Sequence, residues 1–132
     1  MFLNRLNLDE KDAFLHLAHH IAHSDKTFSS EEQIVIAKYC MEMQVDNIPY
    51  EHRNFDLSKT LDVFKLESHK KIALLELMAL IYADGVISNE ELRLIDMIVE
   101  HFDLNPNLAI AYREWAKGIS ALLLQGEALI HL

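Results

Sequence analysis

The sequence predicts an all-α fold: a compact bundle of about six helices built from two repeated helix-turn-helix units. Three observations support this prediction. The 132 residues include only 3 Gly and 2 Pro, which favours long helices over a turn-rich sheet. Apolar residues recur at helical spacing in most segments, and no segment reads as a strand. One acidic motif occurs twice, and an internal repeat of this kind determines the architecture.

The repeated motif runs from Asp84 to Glu91, and its upstream counterpart runs from Asp25 to Glu32. Both are flanked by helix-like sequence, and the offset between them is constant. This offset aligns identical residues at five positions: Asp25 with Asp84, Ser29 with Ser88, Glu31 with Glu90, Glu32 with Glu91, and Ile36 with Ile95. In each copy the Ser and the Glu three residues later form the capping-box pattern of a helix N-terminus. Each copy therefore predicts a helix, a turn and a second helix.

The whole chain, residues 1–132, is predicted to form a single domain. Within it we place repeat one at about 9–44, a connector at 45–57, repeat two at about 67–104 and a C-terminal helix at about 106–125. The first helix is expected to begin at an N-cap at Asp9 and to end near His23. The second should begin after Ser29 and end near Met43.

The connector shows no clear period and contains Pro49, which is unfavourable within a helix. Ser58 is expected to cap a short helix that ends near Phe64. The helix at about 67–83 is apolar on nearly all sides from residue 72 onward, which is typical of a central helix. Glu76 is the only charge in that apolar run, so it either has a buried partner or lies on a narrow exposed strip.

The C-terminal helix should begin with Asn105 as N-cap and Pro106 at the first helical position. Gly126 is expected to end this helix. The apolar tail at 128–132 would then either pack back on the domain or form a dimer contact, and we favour packing back.

Composition narrows the choice of partners. The formal net charge is −9, and the largest basic cluster is Lys70-Lys71, so a nucleic acid is a poor partner. No apolar run approaches the ~20 residues that span a bilayer, and no signal peptide is visible. We therefore expect a cytoplasmic protein, a monomer or weak dimer, with other proteins as partners. Its single cysteine, Cys40, excludes an intramolecular disulfide and a cysteine-based zinc site.

The repeated acidic turn resembles the second half of an EF-hand calcium loop. An EF-hand also needs oxygen ligands at loop positions 1 and 3, where the second copy has Leu80 and Tyr82. The upstream copy fails the same test. A simpler site for Ca²⁺, Mg²⁺, Mn²⁺ or Zn²⁺ stays open if the two turns approach each other, with four carboxylates as ligands: Asp84, Glu91, Asp25 and Glu32. The alternative is that these acids only cap helices and shape turns.

The motif from Ala83 to Glu91, preceded by an apolar helix and duplicated in a helical chain, resembles the TerB-like family of tellurite-resistance proteins. The resemblance covers roughly residues 10–125. It departs from the family pattern at Lys26, where the pattern prefers Gly. It implies an all-helical cytoplasmic stress-response protein, without enzymatic activity, that binds a divalent metal through its acidic turns. The residues that carry over are Asp84 and Glu91 first, then Asp25 and Glu32.

The first helix also carries a histidine stripe: His16, His19, His20 and His23. Its i,i+4 pairs have the spacing at which two imidazoles reach one metal ion, such as Zn²⁺, Ni²⁺ or Cu²⁺. No His-Glu-x-x-His sequence accompanies it, so zinc-protease chemistry is excluded. The preferred interpretation is a solvated polar helix face.

No nucleophile–base pair, phosphate-binding loop or cofactor motif is visible, so we expect a non-enzymatic protein. The principal hypothesis is a TerB-like domain with a divalent-cation site. The alternative is a protein–protein interaction module whose acidic turns are purely structural.

Overall fold

The computed structural model describes residues 1–24, 28–83, 85 and 87–132. These residues contain no strand, so the predicted all-α fold is confirmed. Two single-turn 3-10 helices occur at Leu3–Arg5 and His52–Asn54. The described residues form six α-helices: α1 (Leu8–Ala22), α2 (Ser30–Met43), α3 (Leu57–Leu61), α4 (Glu67–Ile81), α5 (Asn89–His101) and α6 (Pro106–Ile130).

Each of the two helices that follow a copy of the repeated motif, α2 and α5, begins with a capping box, as the sequence predicts. Ser29 accepts a hydrogen bond from the Glu32 backbone N–H, and Ser88 accepts one from that of Glu91. The side-chain carboxylate of each glutamate accepts a hydrogen bond from the backbone N–H of its own serine. Each box satisfies two N–H groups that a helix N-terminus otherwise leaves without intrahelical partners.

Two other helices begin at residues that we did not predict. The N-cap of α1 is Asn7 rather than Asp9, because Asn7 and Glu10 form a third capping box with both bonds at 2.9 Å. The N-cap of α3 is Asp56 rather than Ser58, because the Asp56 carboxylate accepts the Lys59 backbone N–H at 3.0 Å. In both places several neighbouring residues are good caps by residue type, and the cap is the one whose side chain accepts the backbone N–H three residues later.

Helix α4 is the centre of the bundle, as its apolar sequence predicts. It packs against α1, α2, α5 and α6. Its fully buried side chains form the middle of the core: Ala73, Leu74, Leu77, Met78, Leu80 and Ile81. The core continues into α1 through Phe14, Leu17 and Ile21, and into α5 through Ile95 and Ile98.

Glu76 of α4 is buried and has charged and polar partners. Its Oε1 lies 3.1 Å from the Met1 ammonium and accepts the Phe2 backbone N–H at 3.3 Å. The same ammonium lies 2.7 Å from a carboxylate oxygen of Glu42 on α2. The first residues are thereby attached to α2 and α4, and the buried charge is compensated.

Helix α6 is longer than predicted. It passes through Gly118 and Gly126 without interruption and ends at Ile130. A glycine inside a helix costs about 1 kcal/mol relative to alanine, which weakens the helix locally but does not end it. The predicted packing of residues 128–132 against the domain is wrong, since these residues are exposed. None of the helices in the described ranges is long and apolar enough to cross a membrane.

Candidate functional site

The acidic residues of the two repeated turns, which we call the paired turns because their sequences match, fall into two groups. Asp25 and Asp84 lie outside the described residues, as does Lys26. Glu32 and Glu91 are described, and they are only 3% and 2% exposed. Oε1 of each accepts the serine N–H of its capping box, at 3.1 Å for Glu32 and 3.0 Å for Glu91. The two buried carboxylates therefore stabilise the N-termini of α2 and α5 at equivalent positions of the repeat.

The predicted histidine stripe is not a solvated face. His19 is 6% exposed, and His20 and His23 are half-buried beneath the connector. Only His16, whose side chain is 36% exposed, stays near the surface, where its Nδ1–H donates to the Asp12 carbonyl oxygen at 2.9 Å. The stripe is covered because aromatic side chains of the segment after α2 pack onto it, which periodicity within α1 alone could not indicate.

Tyr50 is at the centre of this packing. Its ring stacks on those of His19 and His23, with centroids 6.0 and 5.0 Å apart. Its hydroxyl lies 2.7 Å from Nδ1 of His20 and 3.3 Å from Nδ1 of His52. A hydroxyl can donate to one of these nitrogens while it accepts from the other. The connector is thus attached to α1 by stacking and by hydrogen bonds.

Phe55 and Phe28 close the two sides of the same layer. The Phe55 ring stacks on His20 with centroids 4.0 Å apart, and Phe28 lies 4.2 Å from His23. We call the set that surrounds Tyr50 the imidazole–aromatic cluster: His19, His20, His23, Phe28, Tyr50, His52 and Phe55.

Burial lowers the pKa of two imidazoles of this cluster, those of His20 and His19. It lowers the pKa of His20 to about 4, and the nearby charges of His52 and His23, when protonated, lower it further. Burial also lowers the pKa of His19, and the hydrogen bond to Asn47 opposes this shift. Nε2–H of His19 donates to Oδ1 of Asn47 at 2.8 Å, and the same oxygen accepts the Ile48 backbone N–H.

One ring nitrogen of each histidine in the stripe is hydrogen-bonded to a protein group, while Nδ1 of His19 is buried without a partner among the described residues. Nδ1–H of His23 donates to the His19 carbonyl oxygen at 2.6 Å. Within the ranges that the structure describes, no three His, Cys, Asp or Glu side chains are grouped so that they could hold a metal ion. The cluster is accordingly a packing and hydrogen-bonding layer in its described geometry.

A cleft of about 880 Å³ lies between α1, the connector and α3, and both acidic and basic side chains line it. Two of its carboxylates already have structural partners. Asp56 caps α3, and Asp62 lies 2.7 Å from Nε2 of His101 on α5. The remaining acids, Asp9 and Asp12, belong to the first turns of α1. The cleft therefore presents mixed charges without a defined ligand geometry.

The distal half of α6 carries a continuous run of exposed apolar side chains. From residue 121 to 130 the helix buries no side chain, and at 1.5 Å per residue this stretch is about 15 Å long. Its apolar residues recur three and four positions apart along one face. We call this set the distal stripe: Ile119, Leu122, Leu123, Gly126, Leu129 and Ile130.

The distal stripe borders the face by which α6 packs on the domain, since the buried residues Ala109 and Ala116 lie just outside its arc. At about 100° per residue, its members fall within an arc of roughly 120° that also contains Tyr112 and Trp115, which pack against the core. Leu124 lies on the opposite side of the helix. Leu129 and Leu124 are similarly exposed, at 67% and 72%, so they form a matched pair that differs in the face they occupy.

Sequence reasoning missed the distal stripe because it treated Gly126 as a helix end. The 3,4 spacing of the stripe, which continues across Gly126, was the signal that could have identified it. Tyr50 and Phe55 gave no comparable signal, since they lie in a segment without a period.

Comparison with known proteins identifies no matching family model, no matching curated protein and no matching solved structure. The description of the fold, the imidazole–aromatic cluster and the distal stripe therefore rests on the geometry of this chain.

Proposed function

We propose that this protein is a non-enzymatic helical domain that functions by binding a protein partner through the distal stripe of α6. The observation that supports the proposal is the exposure of the stripe: Leu122, Leu123, Leu129 and Ile130 are each more than 60% exposed. Contiguous exposed apolar patches on folded domains commonly mark interaction sites, because burying them is favourable.

The charge distribution agrees with this role. Between residues 119 and 130 the only charged residue is Glu127, although the chain as a whole carries a formal net charge of −9. An interface centre that lacks charge avoids the desolvation penalty that charged side chains would impose. The acidic surface elsewhere would form the polar surroundings of the interface.

A photoreactive residue in place of Leu129 tests the proposal in living cells. We expect it to form covalent adducts with protein, while the same residue in place of Leu124 forms few or none. The two positions are close in sequence and exposure, so the comparison reports on the face of the helix. Equal yields of adducts from both positions, or adducts from neither, would refute a docking role for the stripe.

We propose divalent-cation binding at the paired turns as a second function, in keeping with the resemblance to the TerB-like family and its cytoplasmic role in tellurite and stress responses. The observation that favours it is the equivalent placement of two buried carboxylates, Glu32 and Glu91, each directly after a repeated acidic turn. Hard oxygen ligands of this kind suit Ca²⁺ and Mg²⁺.

Calorimetric titration with Ca²⁺, Mg²⁺, Mn²⁺ and Zn²⁺ tests this second function. The combined change Asp84→Asn and Glu91→Gln should abolish the heat of binding, because it removes two anionic ligands and keeps their shape. Glu90→Gln, at an exposed neighbouring position, is the control and should bind like the wild type. The same heat from all three proteins would remove the paired turns as a cation site.

A further inference from the structure

We infer that the partner of the distal stripe is a second copy of this chain, bound through antiparallel pairing of the two α6 helices. This inference rests on the proposed docking role of the stripe and specifies its occupant. The stripe follows the spacing of a two-helix seam, since Ile119, Leu122, Gly126 and Leu129 are separated by three, four and three residues. This is the a/d pattern by which two helices pack side chains into each other's gaps.

The position of Gly126 favours antiparallel over parallel pairing. When the seam is centred between Leu122 and Gly126, antiparallel pairing places Leu122 of each copy opposite Gly126 of the other. A large side chain then fills the space beside the glycine, which no side chain among the described residues occupies. The same alignment places Ile119 opposite Leu129. Parallel pairing would place the two glycines together and leave a gap.

Net charge favours the same orientation. Each copy carries a formal charge of −9, and almost all of it lies outside the distal stripe. Antiparallel pairing of the two free ends holds the two acidic bodies at opposite ends of the seam, whereas parallel pairing places them side by side. Because like charges repel, the antiparallel arrangement is the lower in energy.

The area of the stripe sets the strength of the dimer. At roughly 100 Å² of apolar surface for a leucine-sized side chain, the exposed parts of the stripe in two copies bury about 500–600 Å². Stable interfaces bury about 1,200–2,000 Å² in total, so the stripe forms a weak dimer. We expect half-dissociation at a protein concentration between about 10 μM and 1 mM.

Sedimentation velocity of the full chain, from about 1 μM to 1 mM, tests the inference. The wild type should shift from monomer toward dimer as its concentration rises. The shift should strengthen from low to moderate salt, because screening weakens the repulsion between the two acidic bodies. The double change Leu122→Glu and Leu129→Glu should abolish the shift, while the control Leu124→Glu, on the opposite face of α6, should leave it unchanged. Helical circular dichroism of each variant establishes that it is folded.

Cysteine cross-linking in a Cys40→Ala background tests the orientation. The double variant Ile119→Cys and Leu129→Cys should form a covalent dimer under mild oxidation. Leu129→Cys alone should not, because the two copies of residue 129 lie at opposite ends of the seam. A covalent dimer from the single variant overturns the antiparallel arrangement. A wild type that remains monomeric up to 1 mM overturns the self-association altogether. If Leu129 still gives cellular adducts in that case, the docking role survives and its occupant is a different protein.

Discussion

Removing the imidazole of His20 is expected to flatten the dependence of stability on pH. His20 is half-buried, stacks on Phe55 and lies 2.7 Å from the Tyr50 hydroxyl. Burial, together with the charges of His52 and His23, lowers its pKa from 6.5 to about 4. The unfolded chain therefore binds a proton at this residue between pH 6.5 and pH 4, whereas the folded chain does not. The stabilising contribution is complete above pH 6.5 and is lost as the pH falls toward 4.

The size of the effect follows from the shift of the pKa. A pKa lowered by this amount corresponds to at most about 3.4 kcal/mol at full protonation of the unfolded chain. Between pH 7 and pH 5 the ceiling is about 2 kcal/mol. Water reaches part of the ring and screens its interactions, which reduces the expected loss to about 1 kcal/mol.

Urea unfolding at pH 7 and pH 5, followed by circular dichroism, measures this loss. We expect His20→Gln, whose neutral side chain keeps a hydrogen-bonding group near Tyr50, to lose about 1 kcal/mol less than the wild type over this interval. His131→Gln removes an imidazole from the exposed end of α6, outside the cluster, and serves as the control. All other titrating groups are common to these proteins, so their contributions cancel. If His20→Gln shows the same loss as the wild type, the imidazole–aromatic cluster does not hold His20 neutral.

Three further predictions concern the folding free energy. Ser88→Ala should cost about 1 kcal/mol because it removes a capping side chain, whereas Ser58→Ala, at an exposed position that is not a cap, should cost much less. Tyr39→Phe should cost about 1 kcal/mol, since the buried hydroxyl donates to the Glu76 carbonyl oxygen at 2.7 Å; an unchanged urea midpoint would contradict this. Burial lowers the pKa of the Met1 ammonium, but Glu42 and Glu76 outweigh burial and raise it above 8.0, so stability should fall as the pH rises through the raised value. Glu76→Gln should weaken that alkaline loss.

The helix N-termini show which features of the fold can be predicted from neighbouring residues in the sequence. Ser29 and Ser88 were predicted as caps because the serine and its partner glutamate are only three residues apart, and the bonds between them need no other part of the fold. Asn7 and Asp56 were missed because Asp9 and Ser58, two positions away, are comparable caps by residue type. Residue type therefore identifies the region of a helix start, and the bond from the backbone N–H three residues later identifies the cap.

The histidine stripe and Glu76 show that burial and contact partners cannot be predicted from neighbouring residues alone. The periodicity of α1 correctly separates the histidines from the apolar core face, but burial of His19 depends on Tyr50, about 30 residues further along the chain. The partner of Glu76 is the Met1 ammonium, which is 75 residues away. Contacts between such distant positions leave no periodic signal, so the sequence could not distinguish a solvated face from a covered one.

The all-α class, the two capping boxes and the central position of α4 can all be predicted from the amino-acid sequence, as can the acidic net charge. Each of these follows from residue type and spacing within one or two helical turns, where the physical interactions are local. By contrast, two features are visible only in the folded molecule: the connector covers the histidines, and α6 continues past Gly126 with an exposed apolar face. The reason is that burial depends on what lies opposite a side chain, and no described residue of the domain covers the leucines of the distal stripe.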